Sequence, residues 1–456
     1  MLGIHFSGAN DFTRTGLPKS PAKATQHKHY ACVLSISLLT ACGMAFADQS
    51  ESKGFIDDSK LTVLARNYYF YIDRAEGRDD QIDWTQGFLA TYQSGFTQGL
   101  IGFGVDAFGY LGLKLDAGSG RAGTGNLPVG ADGDPDDSYG RAGGVVKMRI
   151  SDTVLRYGQM SPAAPVFAQS VSRLLPQSAT GFNLLSGDIK DLYIDAGHFT
   201  SGTDQVNTNR DGELWASYAL VTTPSVDYAG GKYKVNDDLN ISLYGSRFED
   251  IWNQYYGNAN YIIAMPKDQS VTLDLNVYRT LDSGSAKAGD IDTTAFGLLV
   301  AYRFSAHTLS LGYQQVRGDQ PFDYVGFGDT GRSGGSIFLP NSVQYSDFNG
   351  PSEKSWQLRY DLNMAGYGVP GLSFMVRHLR GSDIDGTNVT SGAYANKYGQ
   401  NDKEFETDAE ARYVVQSGAA KDLSVRIRTA WHRGDLSTGG TQNQLRIITE
   451  YPINIF

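Results

Sequence analysis

The segment "IGFGVDAFGYLGLKLD", residues 101–116, decides the fold of this chain. Apolar side chains occupy every second position from Ile101 to Leu115, and the positions between them hold mainly glycine and polar residues. This alternation matches the period of two of a β-strand, whereas a helix would spread both sets around its circumference. The run is also far longer than the roughly 5–6 residues of a common strand. The segment therefore predicts a long strand with one apolar face.

The same alternation recurs along the chain, between segments rich in Gly, Asp, Ser and Asn. Examples are "VVKMRIS" (145–151), "SVTLDLNVYRT" (270–280), "AHTLSLGYQQV" (306–316) and "KSWQLRYDLNM" (354–364). Two all-β folds alternate in this way. A soluble sandwich or propeller buries the apolar face against another sheet. A transmembrane antiparallel β-barrel turns that face to lipid and the other face to a wet lumen.

Four features favour the barrel: long strands, short turns that alternate with long loops, an export signal, and aromatic residues near strand ends. In particular, Tyr68, Tyr69, Phe70 and Tyr71 are expected at a membrane interface, where aromatic rings are favoured. Such a barrel must be closed, because lipid cannot satisfy an open sheet edge. The chain length predicts about 16–20 strands, which leave an aqueous channel unless a loop fills it.

The first 47 residues are expected to form an export signal, so that residues 48–456 make a single barrel domain. Lys23 and Lys28 precede the apolar run "YACVLSISLLTACGMAFA" (30–47), which ends in the cleavage site Ala45-Phe46-Ala47. A lipoprotein signal at Leu39-Thr40-Ala41-Cys42 is the alternative. Cys32 and Cys42 are the two cysteines of the sequence, so disulfides and Cys-based metal sites are excluded from the barrel domain.

The charge of the chain is acidic overall but unevenly placed. Residues 1–47 hold four of the 39 basic and one of the 49 acidic residues, which leaves 35 basic and 48 acidic residues and a net charge of −13. In "DLSVRIR" (422–428), however, Arg426 and Arg428 alternate with Val425 and Ile427. If the apolar parity faces lipid, these arginines face the lumen.

The same parity places further arginines in the lumen: Arg359, Arg377, Arg412 and Arg446. Arginine stays charged and offers carboxylates a planar fork of donors. Several moderate sites in a row let an anion move from one to the next. The alternative is that lumen acids such as Glu410 and Asp361 pair with these arginines and stiffen the barrel.

Three connections differ from simple turns. Residues 161–182 contain three prolines, apolar residues and one charge, Arg173, and are expected to pack inside the barrel rather than lie on its surface. Residues 318–351 carry Tyr324, Tyr345 and Asp347, which could oppose the arginines with hydroxyl groups and a negative charge. Residues 130–140 are rich in Asp, but the glutamate that completes a calcium loop is missing, so a solvated or cation-bridged, lipid-facing loop is expected rather than a calcium site.

An enzyme is a distant alternative. Ser336, His198 and Asp250 have the residue types of a hydrolase triad, but "GGSIF" (334–338) is not the G-x-S-x-G elbow that presents a nucleophilic serine.

The chain resembles the OprD-type outer-membrane porins of pseudomonads from about Gly54 to its end. The resemblance rests on "RNYYF" (66–70), "DWTQGF" (83–88), "SRLLPQSATGF" (172–182), "SVQYSDFNGP" (342–351) and "YVVQSGAAKDLSVRIR" (413–428), among others. It implies an eighteen-stranded barrel, a third loop folded into the lumen, and selection of substrates by their carboxylate.

The resemblance also implies a ladder of basic residues that guides carboxylates through the channel. Its members here would be Arg173, Arg412, Arg426, Arg428 and Arg446. Arg426 and Arg428 are expected to remain open to substrate, with neither held by a fixed acid. Two early ladder positions fall on Ile72 and Gln81, which carry no charge, and Arg74 and Arg78 could replace them.

Across the channel the resemblance implies an electronegative pocket of Tyr218, Tyr324, Tyr345 and Asp347. The expected function is therefore passive, substrate-selective uptake across the bacterial outer membrane, with basic amino acids and small peptides as cargo and carbapenem-type antibiotics as mimics of it. No cofactor and no nucleic acid are expected as partners. The expected partners are outer-membrane lipid, lipopolysaccharide and small carboxylate-bearing solutes. The chain is expected to be a monomer or weak trimer. A non-selective structural porin would show the same strand pattern.

Overall fold

The computed structural model describes residues 48–456 except residues 76, 330 and 332. The expected export signal, with its cleavage site and the alternative lipoprotein signal, lies outside the described residues. Eighteen long strands form the barrel. In chain order they are β1 (Lys60–Arg74), β2 (Gln81–Gln93), β3 (Gly102–Asp116), β4 (Ser138–Ile150), β5 (Thr153–Met160), β6 (Ser178–Ser186), β7 (Leu192–Thr203), β8 (Val226–Lys234), β9 (Leu239–Phe248), β10 (Trp252–Met265), β11 (Gln269–Asp282), β12 (Asp292–Phe304), β13 (His307–Arg317), β14 (Lys354–Asn363), β15 (Leu372–Asp385), β16 (Gln400–Val414), β17 (Ser424–Gly434) and β18 (Gln442–Asn454).

Each strand pairs antiparallel with the next in the chain, and β18 closes the sheet by pairing with β1. In the closing pair Arg66 lies opposite Glu450, and Phe70 lies opposite Arg446. Closure leaves no open edge, and a sheet in lipid must be closed because lipid cannot satisfy the backbone groups of an edge strand. The prediction of an all-β, eighteen-stranded transmembrane barrel is confirmed.

The alternation of side chains sorts the strands into two faces as the sequence predicts. On β17 Ile427 and Trp431 are 45% and 43% exposed on the outer face, whereas Arg428 and His432 are buried on the lumen face. One expectation is wrong. Tyr68 and Phe70 do not lie at a membrane interface, because both are buried in the lumen, 1% and 0% exposed, against the third loop.

The connections differ in length at the two ends of the barrel. At one end they are short turns, such as residues 151–152 and 305–306, and at the other they include loops 117–137, 161–177, 204–225, 318–353 and 386–399. Short turns are typical of the periplasmic end and long loops of the extracellular end. We refer to loops 161–177, 204–225, 318–353 and 386–399 as the third, fourth, seventh and eighth loops.

The third loop packs inside the barrel, as predicted, although residues 178–182 of the expected segment open β6 instead. Its Leu174 backbone N–H donates to Asn126, and its Pro165 carbonyl accepts a hydrogen bond from Tyr278 on β11. Two small sheets order the loops. One joins Ala163–Ala164 to Phe167–Ala168, and the other joins Leu214–Ala216 to both Val221–Thr223 and Val325–Phe327.

Helical structure is limited to three short 3-10 turns, Gln49–Glu51, Met364–Tyr367 and Leu436–Thr438, within the described residues. None of the helices found there has the length and apolar content to cross a bilayer. The described part of the chain also contains no group of three His, Cys, Asp or Glu side chains arranged to hold a metal ion.

Candidate functional site: the lumen of the barrel

Strand register arranges the lumen arginines in rows on the wall formed by β14 to β18 and β1. The rows, from the turn end to the loop end, are Glu450–Arg66, Arg412–Arg426, Glu410–Arg428–Arg446, and Arg359–Arg377–Asp408. Successive rows are two residues, or about 7 Å, apart along a strand. The four rows therefore extend over about 20 Å and stack the arginines along one wall of the lumen.

The wall is not free of fixed acids, and the expectation that none holds Arg426 or Arg428 is wrong. Glu410 Oε2 lies 2.9 Å from Arg428 Nε, and Glu410 Oε1 lies 3.7 Å from Arg426 Nε. The contact with Arg428 Nε has ion-pair distance but not hydrogen-bond geometry, and Arg428 Nη2 has no hydrogen-bond partner in the described residues. Glu410 thus compensates charge at this level without using up the donors of Arg428.

The outer row is more tightly paired. Arg377 Nε donates to Asp408 Oδ2 over 2.6 Å, with both side chains 1% exposed. Arg359 donates to both carboxylate oxygens of Asp361, over 2.7 and 2.8 Å. Arg377 and Arg359 therefore pair with lumen acids and stiffen the barrel, which is the alternative to a free basic wall. Arg412 and Arg426 are the partly exposed rungs.

Arg173 and Arg446 meet across an aromatic ring. The Phe70 ring has the Arg446 guanidinium 4.5 Å and the Arg173 guanidinium 5.2 Å from its centre. Both arginines are deeply buried, 6% exposed for Arg173 and 0% for Arg446. Burial lowers the pKa of Arg173, which lies in the third loop. The cation–π contacts stabilise two guanidinium groups that would otherwise repel each other at short range.

Arg66 fixes the third loop to the barrel wall. It donates to Glu450 and to the backbone carbonyl groups of Arg173 and Leu174, over 2.8 to 3.0 Å. Arg66 is not among the site residues expected from the sequence, although its lumen-facing parity with Tyr68 and Phe70 is a signal that could identify it.

Three of the four expected pocket residues come together. Asp347 Oδ2 accepts hydrogen bonds from the hydroxyl groups of Tyr218 (2.9 Å) and Tyr324 (2.7 Å), and Oδ1 accepts one from Ser342 (2.6 Å). Burial and the charge of Asp347 raise the pKa of both tyrosines well above the usual value, so their hydroxyl groups remain protonated donors. The cluster places one negative charge beside two aromatic rings.

Asp323 positions the two tyrosines. Its carboxylate accepts the backbone N–H groups of Tyr218, Ala219 and Tyr324 and the hydroxyl of Tyr394, over 2.7 to 2.9 Å. Burial raises the pKa of Asp323 to about 6, while these four hydrogen bonds act in the opposite direction. One side chain in the seventh loop thereby fastens the fourth, seventh and eighth loops to each other. The local sequence carries no signal for this role.

Tyr345 lies apart from this cluster. Its hydroxyl donates to the Gly439 carbonyl over 3.4 Å, and its ring meets the edge of His432. Burial and the nearby Glu404 and Glu406 raise its pKa to about 12, and Arg78 and Arg74 act against them. Both arginines therefore lie close enough to Tyr345 to act on it electrostatically.

The early ladder positions are uncharged in the structure as in the sequence. Ile72 and Gln81 are cross-strand partners at the loop end of the first hairpin. Arg74 follows Ile72 on the same lumen-facing parity and lies opposite Gln442. Its position, rather than that of Ile72, continues the basic wall toward the mouth.

The seventh loop connects the pocket to the wall. Arg446 Nη2 donates to the Gln344 carbonyl over 3.1 Å, and the backbone N–H groups of Tyr345 and Ser346 donate to the Glu406 carboxylate, each over 2.8 Å. Asp347 follows directly. Gln344 and Asp347 are three residues apart, so their Cα atoms lie within about 10–11 Å of each other, and one short segment joins the wall to the pocket.

The hydrolase residues are not assembled. The Ser336 hydroxyl donates to the Gln169 carbonyl, and Asp250 binds the Ser285 backbone and Lys287. His198 Nδ1 lies 2.7 Å from Asp227 on the outer face of the barrel. None of the three makes a hydrogen bond to another, so the triad hypothesis fails.

Comparison with known proteins agrees with this architecture. The family model described as outer membrane porin, OprD family, matches residues 53–455. Porin D of Pseudomonas aeruginosa is 59% identical over 415 residues, which are 90% of this chain and 94% of that protein. The porin-like protein GalP of Pseudomonas putida is 32% identical over 89% of this chain and 95% of its own length.

Solved structures match equally broadly. The crystal structure of Pseudomonas aeruginosa OprD superposes with a TM-score of 0.80 at 55% identity, covering 90% of this chain and 99% of OprD. Pseudomonas aeruginosa OpdK, solved with vanillate, gives a TM-score of 0.78 at 32% identity and covers 88% of this chain and all of OpdK. These relatives are channels of the outer membrane rather than enzymes. The chain belongs to the OprD family of outer membrane porins.

Proposed function

We propose that this porin selects small solutes that carry both a carboxylate and a cationic group, which are basic amino acids and small peptides. The carboxylate would follow Arg412, Arg426 and Arg428 along the wall, and the cation would face Asp347. Carbapenem-type antibiotics fit the same description in part, because they present a carboxylate on a peptide-like frame.

The observation that carries this proposal is the seventh-loop segment from Gln344 to Asp347. At one end its carbonyl group binds Arg446, and at the other its carboxylate accepts two tyrosine hydroxyl groups. A basic wall and an acidic pocket joined by one short segment match the two ends of an amino acid better than a neutral solute or a simple anion.

A size-selective porin is the second candidate, and one observation favours it. The ion pairs Arg377–Asp408 and Arg359–Asp361 neutralise part of the wall, as a purely structural role requires. The two candidates differ in the role of the partly exposed arginines. In a size-selective channel these arginines would not make solute flux depend on solute charge.

We also propose that lipid and lipopolysaccharide of the outer membrane surround the barrel and that it acts as a monomer or weak trimer. Each barrel encloses its own lumen, so the proposed path requires no second subunit.

Flux into proteoliposomes tests the selective channel, with arginine, glutamate and benzoate as solutes. Asp347→Asn should reduce arginine flux several-fold relative to benzoate flux, because only arginine carries a cationic side chain. Lys190→Gln, an exposed charge on the turn between β6 and β7, is the matched control and should change neither. Equal changes in all three fluxes would show a size-selective pore and overturn the proposal.

A further inference from the structure

The outer face of the barrel carries its basic side chains on one half. Among the residues described, seven Lys or Arg residues project from barrel strands on the lipid-facing parity, and all seven lie on β9 to β17. Three of them are Arg279, Lys354 and Lys403. Arg279 pairs with Asp292, and Lys354 pairs with Asp383. The other four are arginines without a carboxylate at ion-pair distance in the described chain. We call these four the outer basic belt: Arg247, Arg317, Arg380 and Arg433.

The outer basic belt lies at the loop end of the strands. Arg317 is the last residue of β13, and Arg433 and Arg247 are each the last but one of β17 and β9. Toward the turn end, the same outer faces carry exposed apolar side chains such as Leu311 and Ile427. A lipid-exposed arginine is costly at the centre of a bilayer and tolerated near its surface. The belt therefore marks the upper border of the apolar band.

The belt side chains are oriented by their neighbours. Arg380 and Arg433 lie in one row on either side of Phe405, and the Arg380 guanidinium is 5.7 Å from the centre of that ring. The Arg317 guanidinium is 5.1 Å from the Phe296 ring centre. A guanidinium that packs on a ring keeps the donors along its edge available. The row places the backbones of Arg380 and Arg433 roughly 9–10 Å apart, which is twice the spacing of neighbouring strands. Arg433 Nη1 donates to the His432 carbonyl over 2.6 Å and to Asn443 Oδ1 over 2.8 Å, which fixes the position of this side chain.

We propose that the outer basic belt binds the phosphate groups of a phosphorylated glycolipid, the lipid A portion of lipopolysaccharide, in the outer leaflet. Three observations agree: the level at the membrane surface, the lack of carboxylate partners within the described chain, and two arginines in one row, separated by one strand, whose long side chains can each meet a separate phosphate group. Arginine also matches phosphate geometry in a bidentate way. This inference deepens the lipid contact proposed above, and it is independent of which solutes the lumen passes.

A second copy of the chain is a poorer occupant of this face. In a symmetric contact through β9 to β17 the two belts would approach each other, and like charges repel without a carboxylate to compensate them. β1 to β8 carry no outward-facing Lys or Arg in the described residues, so a subunit contact is better placed on that half.

The test compares lipid binding by the folded barrel in detergent. The variant Arg317→Gln, Arg380→Gln, Arg433→Gln removes three belt charges. Its matched control, Lys190→Gln, Lys267→Gln, Lys421→Gln, removes three exposed charges from turns at the opposite end. Titration uses bisphosphorylated lipid A, the same lipid with both phosphates removed, and inorganic phosphate as a competitor. Unchanged migration on unheated gels and unchanged single-channel conductance establish that each barrel is intact.

We expect bisphosphorylated lipid A to bind the wild-type protein, with about tenfold or greater loss of affinity in the belt variant and no loss in the control. Removal of the phosphates should abolish the difference between the two variants, and inorganic phosphate should compete only at far higher concentration than lipid A. Equal affinity of the belt variant and wild type would overturn the proposal. Equal competition by free phosphate would do so as well, as would a change in oligomeric state of the belt variant without a change in lipid binding.

Discussion

Glu410 and Arg428 lie directly opposite each other on β16 and β17, with the carboxylate 2.9 Å from Arg428 Nε and also 3.7 Å from Arg426 Nε. One acid therefore controls how much positive charge two rungs of the wall present to the lumen.

Neutralising this acid and neutralising its partner should have opposite effects. Glu410→Gln removes the negative charge that compensates Arg426 and Arg428, so the flux of glutamate and benzoate should rise about threefold or more. Arg428→Gln should lower the same fluxes, and Arg426→Gln with Arg428→Gln should lower them by about tenfold, which corresponds to about 1.4 kcal/mol. Proteoliposome flux at low salt measures both. The selective-channel model fails if the acid and the arginine variants shift carboxylate flux in the same direction.

The buried pair Arg377–Asp408 should control stability rather than flux. Removing one partner leaves an uncompensated charge with 1% exposure, so Arg377→Gln should lower the free energy of unfolding by about 3–5 kcal/mol. The double variant Arg377→Gln, Asp408→Asn removes both charges and should recover most of the loss. The temperature at which the barrel unfolds on gels measures this. A double variant less stable than Arg377→Gln would contradict the idea that an unpaired buried charge causes the loss.

Asp323 should make the loops sensitive to pH near 6. Its pKa of about 6 in the folded protein exceeds the value of about 3.9 of a free Asp, so the folded state takes up the proton first as the pH falls. The free energy of unfolding therefore rises as pH falls from about 6 to about 4. Protonation nevertheless replaces an acceptor by a donor, which loosens the hydrogen bonds to Tyr218 and Tyr324.

Single-channel current noise from pH 4.5 to 7.5 measures this loosening. We expect the noise of the wild-type channel to increase below about pH 6, where Asp323 is neutral. Asp323→Asn is neutral at every pH and should show high noise that does not depend on pH. Lys190→Gln, an exposed charge on the turn between β6 and β7, is the control that keeps Asp323 and its partners intact. If the noise of Asp323→Asn still increases below about pH 6, another group is responsible for the pH dependence.

Gly297 should be essential for docking of the seventh loop. It lies on β12, and a Cβ at this position would come within 2.3 Å of Cδ of Pro340, a stiff ring that cannot swing aside. Gly297→Ala should displace the loop and increase its cleavage by added protease. Gly257→Ala, where the nearest atom would be 3.6 Å away, is the matched control and should behave as wild type. Equal protease resistance of both variants would contradict this placement.

Much of the fold follows from local sequence pattern. A period of two, as in residues 101–116, divides each strand into a lipid face and a lumen face, and strand length with export implies a closed barrel. The same rule placed Arg412, Arg426, Arg428 and Arg446 in the lumen. It also places Tyr68 and Phe70 in the lumen with Arg66; the expectation of a membrane interface was wrong for these two because aromatic residues suit both a membrane interface and a packed loop.

The sequence by itself determined which face each side chain takes, because alternation is a property of neighbouring residues on one strand. Only the tertiary structure decided which charges meet. Glu410 finds Arg428 through strand register, Asp347 finds two tyrosines from different loops, and Arg66 holds a loop more than a hundred residues away in the chain. Coulomb energy and hydrogen bonding depend on distance in space, and the closure of the barrel sets that distance.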